Sequence, residues 1–291
     1  MESKKIFAPL ILIITGITAS SSVIFIKLCN IDSFYIAGLR LLIASSILFP
    51  FWLINKKKKN FSYTKKKILK IMIPSAALSF HLITWTIGAK LTLATNATIL
   101  INLLPLIMPF FLYFFTHERI NKYETIGTIL GLIGIFYLAF NDYHLQSDKF
   151  QGDIICLISL FFLALYLISA KRFLQDFDLL SYIVPVYFFA SIITLLSAIV
   201  FNRKLEIPDT QSVLALIALV IFPTIMGHSL LNFSMRRFRG QIVSLANQLQ
   251  FIYAGFMGYF ILKEIPDTHF YITAIFVVAG SFIAIIYSTY D

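Results

Sequence analysis

The sequence predicts an all-α integral membrane protein with ten transmembrane helices. Of the 291 residues, 59% are apolar and only 13% are charged, whereas soluble proteins carry roughly 25% charged residues. The apolar residues form runs of about 20 residues, the length that an α-helix needs to cross a hydrocarbon core of about 30 Å. Ten such runs fit into the chain with short loops between them.

The predicted spans fill almost the whole chain. The apolar run near the N-terminus superficially resembles a signal sequence, but it is too long and lacks a convincing cleavage site, so we assign it as the first span. The lysine-rich residues 55–67 are expected to be a solvated segment flanking the membrane. The spans are predicted at residues 6–27, 34–54, 70–89, 93–115, 122–140, 152–171, 180–201, 212–232, 241–262 and 268–288.

The distribution of basic residues predicts the orientation. Of the 24 Lys and Arg residues, 17 lie on the side of the N-terminus, six lie on the opposite side, and Arg40 lies within the second span. Cytoplasmic loops are enriched in Lys and Arg, so both termini are predicted to be cytoplasmic. The net charge of +10 is therefore attributed to membrane topology, and binding to nucleic acid is not expected. Membrane lipid is the expected surrounding partner.

The two halves of the chain resemble each other at a shift near half its length. The predicted repeats are residues 1–141 and 152–291, joined by a loop at 142–151. Five helices is an odd number, so the second repeat is expected to be inverted relative to the first, with a substrate site near the midplane between them. The matching pairs are Lys27 with Lys171, His81 with His228, Tyr113 with Tyr259, Glu118 with Glu264, and Gly134 with Gly280.

The fourth span has a polar beginning and two internal prolines, Pro105 and Pro109. Proline removes an N–H donor from a helix, and neighbouring helices can satisfy the freed carbonyls in a bilayer. This span is expected to bend locally and to form one wall of a cavity. Its repeat partner, residues 241–264, has no proline, and Gly255 and Gly258 are expected to allow bending there.

Polar and small residues form stripes at helical spacing on the third, fourth, eighth and ninth spans. Such stripes face other helices or a water-filled path, and spacing alone leaves both interpretations open. His81 and His228 are expected either to be neutral imidazoles bonded between helices or to contact the substrate and respond to protons. Arg40 is assigned to hydrogen bonding between helices, with anion contact as the alternative.

Several classes of protein lack support in the sequence. Every acidic residue lies at or outside the apolar cores, so no intramembrane carboxylate is available for a proton relay. Cys29 and Cys156 belong to no metal or redox motif and are expected to be lipid-facing or packed thiols. Both lie near one side of the membrane, where a disulfide could form. No nucleotide-binding loop, catalytic triad or metal motif is found. No enzyme activity, cofactor or metal is expected.

Four motifs together resemble the drug/metabolite transporter superfamily, EamA type. Arg40 and Ala44 match an R-x-x-x-A signature of the second span, and Leu103 to Glu118 resembles the end of the fourth span. The glycine-rich residues 127–134 resemble the fifth span, and Tyr259 to Glu264 repeats the ending in the second half. The resemblance implies a basket of ten helices. Spans three, four, eight and nine would surround a central cavity, and spans one, two, six and seven would move as gates.

Two departures and one closer likeness refine this resemblance. Many members carry Glu-Pro in the ninth span, where this chain has Gln248-Leu249-Gln250; ion-coupled chemistry is therefore in doubt. The fourth span ends Thr116-His117-Glu118 in place of Leu-Gly-Glu. Residues 82–88 and 259–267 resemble the branch that includes S-adenosylmethionine carriers of obligate intracellular bacteria.

The predicted function is secondary transport of a small polar or amphipathic metabolite across the inner membrane by alternating access. Amino acids, nucleoside-like compounds and S-adenosylmethionine are the candidate substrates, and the protein is expected to be a monomer or homodimer. The alternative is a proton-coupled exporter of drugs or toxic metabolites. Glu118 and Glu264 are expected to anchor helix ends. The candidate substrate-binding residues are His81, Trp85, Thr98, Asn102, Tyr166, His228, Asn232, Gln248 and Tyr253.

Overall fold

The computed structural model describes residues 2–59, 63–92, 94–142, 150–262 and 268–288, and every regular element within them is helical. A 3₁₀ turn, Leu174–Asp176, follows α7, and π-helical segments, Val220–His228 and Gly258–Leu262, follow α9 and α12. The α-helices are α1 (Glu2–Lys27), α2 (Ser33–Lys59), α3 (Lys65–Leu91), α4 (Ala94–Ile101), α5 (Leu104–Thr116), α6 (Lys122–Asp142), α7 (Phe150–Phe173), α8 (Leu179–Val200), α9 (Thr210–Leu219), α10 (Ser229–Arg237), α11 (Gly240–Gln248), α12 (Gln250–Met257) and α13 (Thr268–Ser288).

Eight helical segments of the described chain are long and apolar enough to cross a membrane. They correspond to predicted spans one to four, six to eight and ten, which makes this a multi-pass membrane protein. The predicted fifth and ninth spans are helical but fall outside this set. The ninth is divided into α11 and α12, of nine and eight residues. The total of ten spans therefore stays a prediction.

The long helices pair between the first and second halves of the chain. α2 packs along α8, α3 along α7 and α6 along α13, while α1 packs against the segment from α9 through Val220–His228. Glycines permit close approach at these contacts: a Cβ on Gly88 would lie 2.6 Å from Cys156 Sγ, and a Cβ on Gly127 would lie 2.5 Å from the Gly280 carbonyl oxygen. Small residues favour helix association in lipid because they let backbones pack closely.

A turn at Asn102 and Leu103 divides the predicted fourth span into α4 and α5. In the turn, the Leu103 amide donates to the Leu100 carbonyl at 3.2 Å, and the Leu106 amide donates to the Leu103 carbonyl at 2.9 Å. Pro105 lies just after the turn and has no N–H to continue the preceding helix. The expected local bend is thus a break between two short helices.

Side chains of α11 satisfy two carbonyls that this break and the second proline leave without helical donors. The Asn102 carbonyl accepts a hydrogen bond from Gln248 Nε2 at 2.9 Å. Pro109 cannot donate to the Pro105 carbonyl, which accepts instead from Gln241 Nε2 at 3.0 Å. A buried carbonyl without a donor is costly in lipid. The prolines are tolerated here because the second half of the chain supplies the missing donors.

The predicted ninth span breaks at Leu249, between α11 and α12. Its turn repeats the pattern of the first: the Leu249 amide donates to the Ala246 carbonyl and the Ile252 amide to the Leu249 carbonyl, both at 3.1 Å. Each of these residues lies 146 positions after its counterpart in the first break. The expectation for Gly255 was wrong, since it lies within regular α12; Gly258 begins the π-helical segment.

Lysines at helix ends are bonded to backbone carbonyls. Lys27 Nζ donates to the carbonyl of Thr92, which ends α3, at 2.9 Å. Lys171 Nζ donates to the carbonyl of Phe238, which ends α10, at 2.6 Å. Lys90 similarly donates to the loop before α2. Cations are favourable at helix C-termini, so these lysines join helices rather than only reaching toward water.

Glu118 joins the two halves of the chain at the predicted cytoplasmic end. Its Oε1 accepts a hydrogen bond from the Gly240 amide at 2.8 Å, at the start of α11. Its Oε2 lies 3.2 Å from Lys171 Nζ, at the end of α7. These contacts fit the predicted role of a helix-end anchor. The repeat-related Glu264 lies outside the described residues.

Candidate functional site

A cavity of about 50 Å³ lies between helices from both halves of the chain. Its walls come from α1, α3 and α4 on one side and from α7, Val220–His228 and α10–α12 on the other. Pockets for small ligands usually measure roughly 300–1,000 Å³. The observed conformation, which we call closed, therefore has room for a few water molecules and is too narrow for a metabolite. The polar and aromatic lining residues are Ser20, Ser22, His81, Trp85, Thr98, His228, Asn247 and Gln250.

The repeat-related histidines meet at this cavity. The ring centroids of His81 and His228 lie 6.0 Å apart, with the rings at 73° to each other. His81 Nδ1 lies 2.9 Å from Ser159 Oγ, which fixes the ring against α7. His228 Nδ1 has no partner within the described part of the chain. Only one histidine is therefore committed to packing through Nδ1, while the other offers an unused nitrogen.

Trp85 and Thr98 also line the cavity. The Trp85 indole donates to Ser22 Oγ at 3.2 Å and so links α3 to α1. The Thr98 hydroxyl donates to the Ala94 carbonyl at 2.7 Å within α4. The Thr98 hydroxyl oxygen can still accept a hydrogen bond, and its methyl group is available for contacts in the cavity.

Tyr166 and Asn232 lie behind His228 and do not line the cavity. Both are fully buried. The Asn232 amide donates to the Tyr166 hydroxyl and to the His228 carbonyl at 2.6 Å, and the Tyr166 ring centroid lies 5.8 Å from that of His228. These two residues support the position of His228 rather than contributing to the cavity surface.

The other three predicted residues lie apart from the cavity in this conformation. Neither side-chain amide atom of Asn102 has a described partner, and Gln248 Oε1 also lacks one. Gln248 packs against Gly131, where a Cβ would lie 2.4 Å from Oε1. Tyr253 is partly buried against Gly16 of α1. The two broken spans therefore place Asn102 and Gln248 beside each other, outside the closed cavity.

Sequence reasoning missed Asn247 and Gln250 on the ninth span and Ser20 and Ser22 on the first. Asn247 follows Ser244 by three residues and so shares its helix face, which was an available signal. Gln250 was not predictable from spacing, because the break at Leu249 changes the direction of the helix face. In the structure, the Gln250 amide donates to Asn247 Oδ1.

Arg40 forms the predicted hydrogen bond between helices. It is fully buried, and its Nε donates to Thr224 Oγ1 at 2.8 Å. Thr224 lies in the π-helical segment Val220–His228, and π-helical segments occur frequently at functional sites. This contact connects α2 to the segment that carries His228.

The cysteines are free and buried. Burial raises the pKa of the Cys29 thiol, which lies between α1 and α2, so the reactive thiolate is disfavoured. Across the described residues, no group of three or more His, Cys, Asp or Glu side chains could hold a metal ion.

A multi-pass chain with a cavity between its two halves, lined by histidine, serine and amide side chains among apolar ones, has the architecture of a membrane transporter. Residues 6–140 and 150–286 each match the model of the EamA-like transporter family. The chain belongs to the EamA-like transporter family, within the drug/metabolite transporter superfamily. This membership points to a transporter and not to an enzyme.

Similar proteins agree with this assignment. An "Uncharacterized transporter" of Buchnera aphidicola subsp. Schizaphis graminum (strain Sg) is 21% identical, covering 89% of this chain and 88% of the relative. An "S-adenosylmethionine uptake transporter" of Rickettsia prowazekii (strain Madrid E) is 24% identical, covering 82% and 78%. A solved structure described as "Crystal structure of protein" matches with a TM-score of 0.78 and 16% identity over 97% of both chains. That structural likeness concerns the fold alone.

Proposed function

We propose that the protein is a secondary transporter of the bacterial inner membrane that moves a small polar or amphipathic metabolite by alternating access. The observation that carries this proposal is the meeting of repeat-related His81 and His228 at a cavity between the two halves of the chain. Relatives named S-adenosylmethionine uptake transporters make S-adenosylmethionine the first substrate to test. Amino acids and nucleosides are the other candidates.

The proposed architecture has ten helices in two inverted five-helix repeats, residues 1–141 and 152–291, with the connecting loop at 142–151 and both termini in the cytoplasm. The helix pairing supports it. If the two repeats are exchanged, the contact between spans two and seven and the contact between spans five and ten map onto themselves. The contact between spans three and six maps onto the contact between spans eight and one. The matching turns at Leu103 and Leu249 and the matching bonds of Lys27 and Lys171 also support it.

The proposed substrate contacts in the closed cavity come from His81, Trp85, Thr98 and His228. The Trp85 face suits an aromatic or cationic group, and His228 Nδ1 is available for a hydrogen bond. In this proposal, Tyr166 and Asn232 position His228. The remaining predicted residues, Asn102, Gln248 and Tyr253, would reach the substrate only after the cavity widens.

Transport requires the cavity to enlarge and to open alternately to each side. At the predicted cytoplasmic end, Glu118 bridges α7 and the start of α11. At the opposite end, the Thr92 hydroxyl donates to Asp153 Oδ1 at 2.5 Å and joins the end of α3 to α7. Breaking one set of contacts while the other remains would open one side. The proposed partners are therefore a small-molecule substrate and lipid, and the protein acts as a monomer or homodimer.

Purified protein in liposomes tests the proposal. Labelled S-adenosylmethionine, amino acids and nucleosides would be offered to the wild type and to His228→Ala. Lys204→Ala, in the exposed loop between α8 and α9, is the control. We expect flux of at least one compound class, a loss of about tenfold or more in His228→Ala, and unchanged flux in the control. Correctly folded wild type without flux of any compound would contradict the metabolite-transport proposal.

The meeting of two histidines at the cavity also favours the alternative of a proton-coupled exporter, because imidazole is the side chain that ordinarily titrates near neutral pH. An imposed pH gradient across the liposome membrane distinguishes the two. The alternative requires that the gradient drive flux and that His81→Ala and His228→Ala both abolish the response. Flux of the same size with and without the gradient excludes it.

A further inference from the structure

Arg40 is a buried cation that forms no ion pair with the described residues. Its Nε is bonded to Thr224 Oγ1, but Nη1 and Nη2 have no partner within the described part of the chain. The described ion pairs, such as those of Glu118 and Glu124, lie at helix ends, and none includes Arg40. An unpaired charge inside a membrane protein is costly and is a mark of function.

The groups around Arg40 are neutral or potentially cationic. The Tyr187 hydroxyl donates to the Thr224 carbonyl at 3.2 Å, and Thr224 Oγ1 donates to the Leu219 carbonyl at 2.7 Å, which turns its lone pairs toward Arg40. His228 lies four residues after Thr224 in the same π-helical segment, and its Nδ1 is a second buried polar atom without a described partner. The segment Val220–His228 therefore bonds Arg40 through Thr224 and carries the cavity-lining His228 at its end.

We propose that Arg40 and His228 form an anion subsite that receives the carboxylate of the transported metabolite; this inference rests on the proposed transport function. A guanidinium presents two parallel N–H groups that match a carboxylate. The two free Nη atoms supply that fork, since Nε is already committed to Thr224.

Transport of carboxylated and decarboxylated probe pairs tests this subsite. S-adenosylmethionine would be compared with its decarboxylated analogue, alongside adenosine as a neutral probe, in wild type, Arg40→Gln, Arg40→Lys and the exposed control Arg203→Gln. We expect the wild type to prefer the carboxylated probe at least tenfold in transport efficiency. Arg40→Gln is expected to lose that preference while the decarboxylated probe changes less than twofold. Arg40→Lys should retain part of the preference, and the control all of it.

The possible failures are distinguishable. A wild type that moves both probes equally overturns the subsite even if Arg40→Gln does not fold, and so does an Arg40→Gln variant that loses both probes equally. Flux of adenosine alone overturns the subsite but leaves the transport function intact. Absence of flux for every compound overturns both.

A second, independent feature is an open groove of about 470 Å³ on the side of the molecule, far larger than the central cavity. It runs between α2, the start of α3 and the start of α8, and its surface is mainly apolar. Much of the wall is aromatic and is formed by Phe49, Trp52, Phe188 and Phe189. The exposed Ser46 also lines the groove. Trp and Tyr characteristically mark the interface between bilayer and water.

The mouth of the groove is basic. Lys56 Nζ lies 5.1 Å from the centre of the Trp52 ring and 5.6 Å from that of Tyr63, and the Trp52 indole donates to the Tyr63 hydroxyl at 2.9 Å. The adjoining sequence, residues 55–70, contains eight lysines, at positions 56–59, 65–67 and 70. Two acidic residues of the same region, Asp176 and Asp178, are bonded to Lys70 and Asn55, so a large positive excess remains.

We infer that this groove binds one anionic phospholipid of the cytoplasmic leaflet, with an acyl chain along the aromatic wall and the phosphate at the lysines. The apolar volume suits a hydrocarbon chain, and clusters of four to eight basic residues beside a membrane helix attract anionic lipid. The apolar groove and the basic mouth form one site, because Lys56 lies over the aromatic rings of Trp52 and Tyr63 at the end of the groove.

Lipid retention in nanodiscs tests this site. Protein in an equal mixture of phosphatidylglycerol and phosphatidylcholine would be delipidated in steps, and bound lipid counted by native mass spectrometry. We expect about tenfold preferential retention of one phosphatidylglycerol. The triple variant Lys56→Gln, Lys57→Gln, Lys66→Gln should lose the preference, and Ser46→Trp should fill the groove and lower retention of both lipids. Equal retention by the wild type overturns the site.

The matched control removes three cations from the same predicted side of the membrane but away from the groove: Arg119→Gln, Lys122→Gln and Arg237→Gln. It should retain the wild-type preference for phosphatidylglycerol. Equal loss in the control and in the groove triple variant would show that only the total charge of that face matters, which also overturns a defined lipid site.

Discussion

The two broken spans, α4–α5 and α11–α12, share the same backbone hydrogen bonds at the break, but different side-chain contacts stabilise them. Both break with the same pair of turn hydrogen bonds, at Leu103 and at Leu249. The first has proline two residues after the turn, whereas Phe251 occupies that position in the second. Proline is therefore compatible with the break but not required for it.

The difference lies in where the polar side chains act. Gln241 and Gln248 of α11 donate to the Pro105 and Asn102 carbonyls of the other broken span, and no described side chain of α4 or α5 donates to α11 or α12 in return. The first broken span supplies carbonyls that lack helical donors, and the second supplies the side-chain amides that bond to them. Asn102 and Gln248, 146 residues apart, meet where the two breaks face each other.

The largest expected effect follows from Gln241→Leu. Gln241 Nε2 also bonds to Thr128 Oγ1, at 2.7 Å, so the substitution leaves a buried carbonyl and a hydroxyl without this donor. We expect a loss of about 2 kcal/mol in unfolding free energy, measured by denaturant titration in micelles. The exposed Gln211→Leu is the matched control and should change stability little.

A double-mutant cycle with Pro109→Ala sharpens this prediction. Alanine restores an N–H that can reach the Pro105 carbonyl, so Gln241→Leu should cost less in the Pro109→Ala background than in the wild type. Equal cost in both backgrounds would show that the carbonyl freed by proline is not what Gln241 stabilises.

Gln248→Leu is expected to have the next largest effect. It removes the donor to the Asn102 carbonyl, and a hydrogen bond of this kind contributes about 0.6 kcal/mol on average and up to about 1.7 kcal/mol. We expect about 1 kcal/mol of destabilisation in the same titration. Gln248→Met keeps the approximate length of the side chain and has no N–H or O–H donor; if it matched the wild type in stability, the role of this hydrogen bond would be refuted.

Asn102→Leu should have the opposite sign. Its side-chain amide is buried without a described partner, and burying an unbonded amide is unfavourable. We expect a gain of about 0.5 kcal/mol in unfolding free energy, at the low end of the measured cost of such burial, together with slower transport if the amide contacts substrate in an open state. Destabilisation in unfolding experiments would mean that Asn102 serves packing.

Pro105→Ala should have the smallest effect. The break at Leu249 forms without proline, so the break at Leu103 should persist when the N–H at position 105 is restored. We expect a stability change within about 0.5 kcal/mol and unchanged hydrogen-exchange rates at the amides of residues 102–104 and 106. Slowed exchange there would indicate that Pro105 alone prevents a continuous helix.

Composition and spacing predicted much of the fold. Apolar runs of membrane-spanning length correctly indicated a multi-pass helical protein, and the shift near 146 paired residues that the structure brings into related positions. Periodicity could also find His81 and His228, because polar residues on an apolar helix stand out. It could not find the break at Leu249, since no proline or glycine marks that position and the break depends on contacts with other helices.

The sequence by itself determined the helical, membrane-spanning character, because backbone groups must be satisfied within helices wherever water is absent. Tertiary structure alone decided which polar residues share a space. It brought His81 next to His228 and directed the amides of Gln241 and Gln248 to carbonyls of another span. It also left Arg40 without an ion pair among the described residues. These outcomes depend on side chains far apart in the sequence, whose approach is set by packing between helices and not by local propensity.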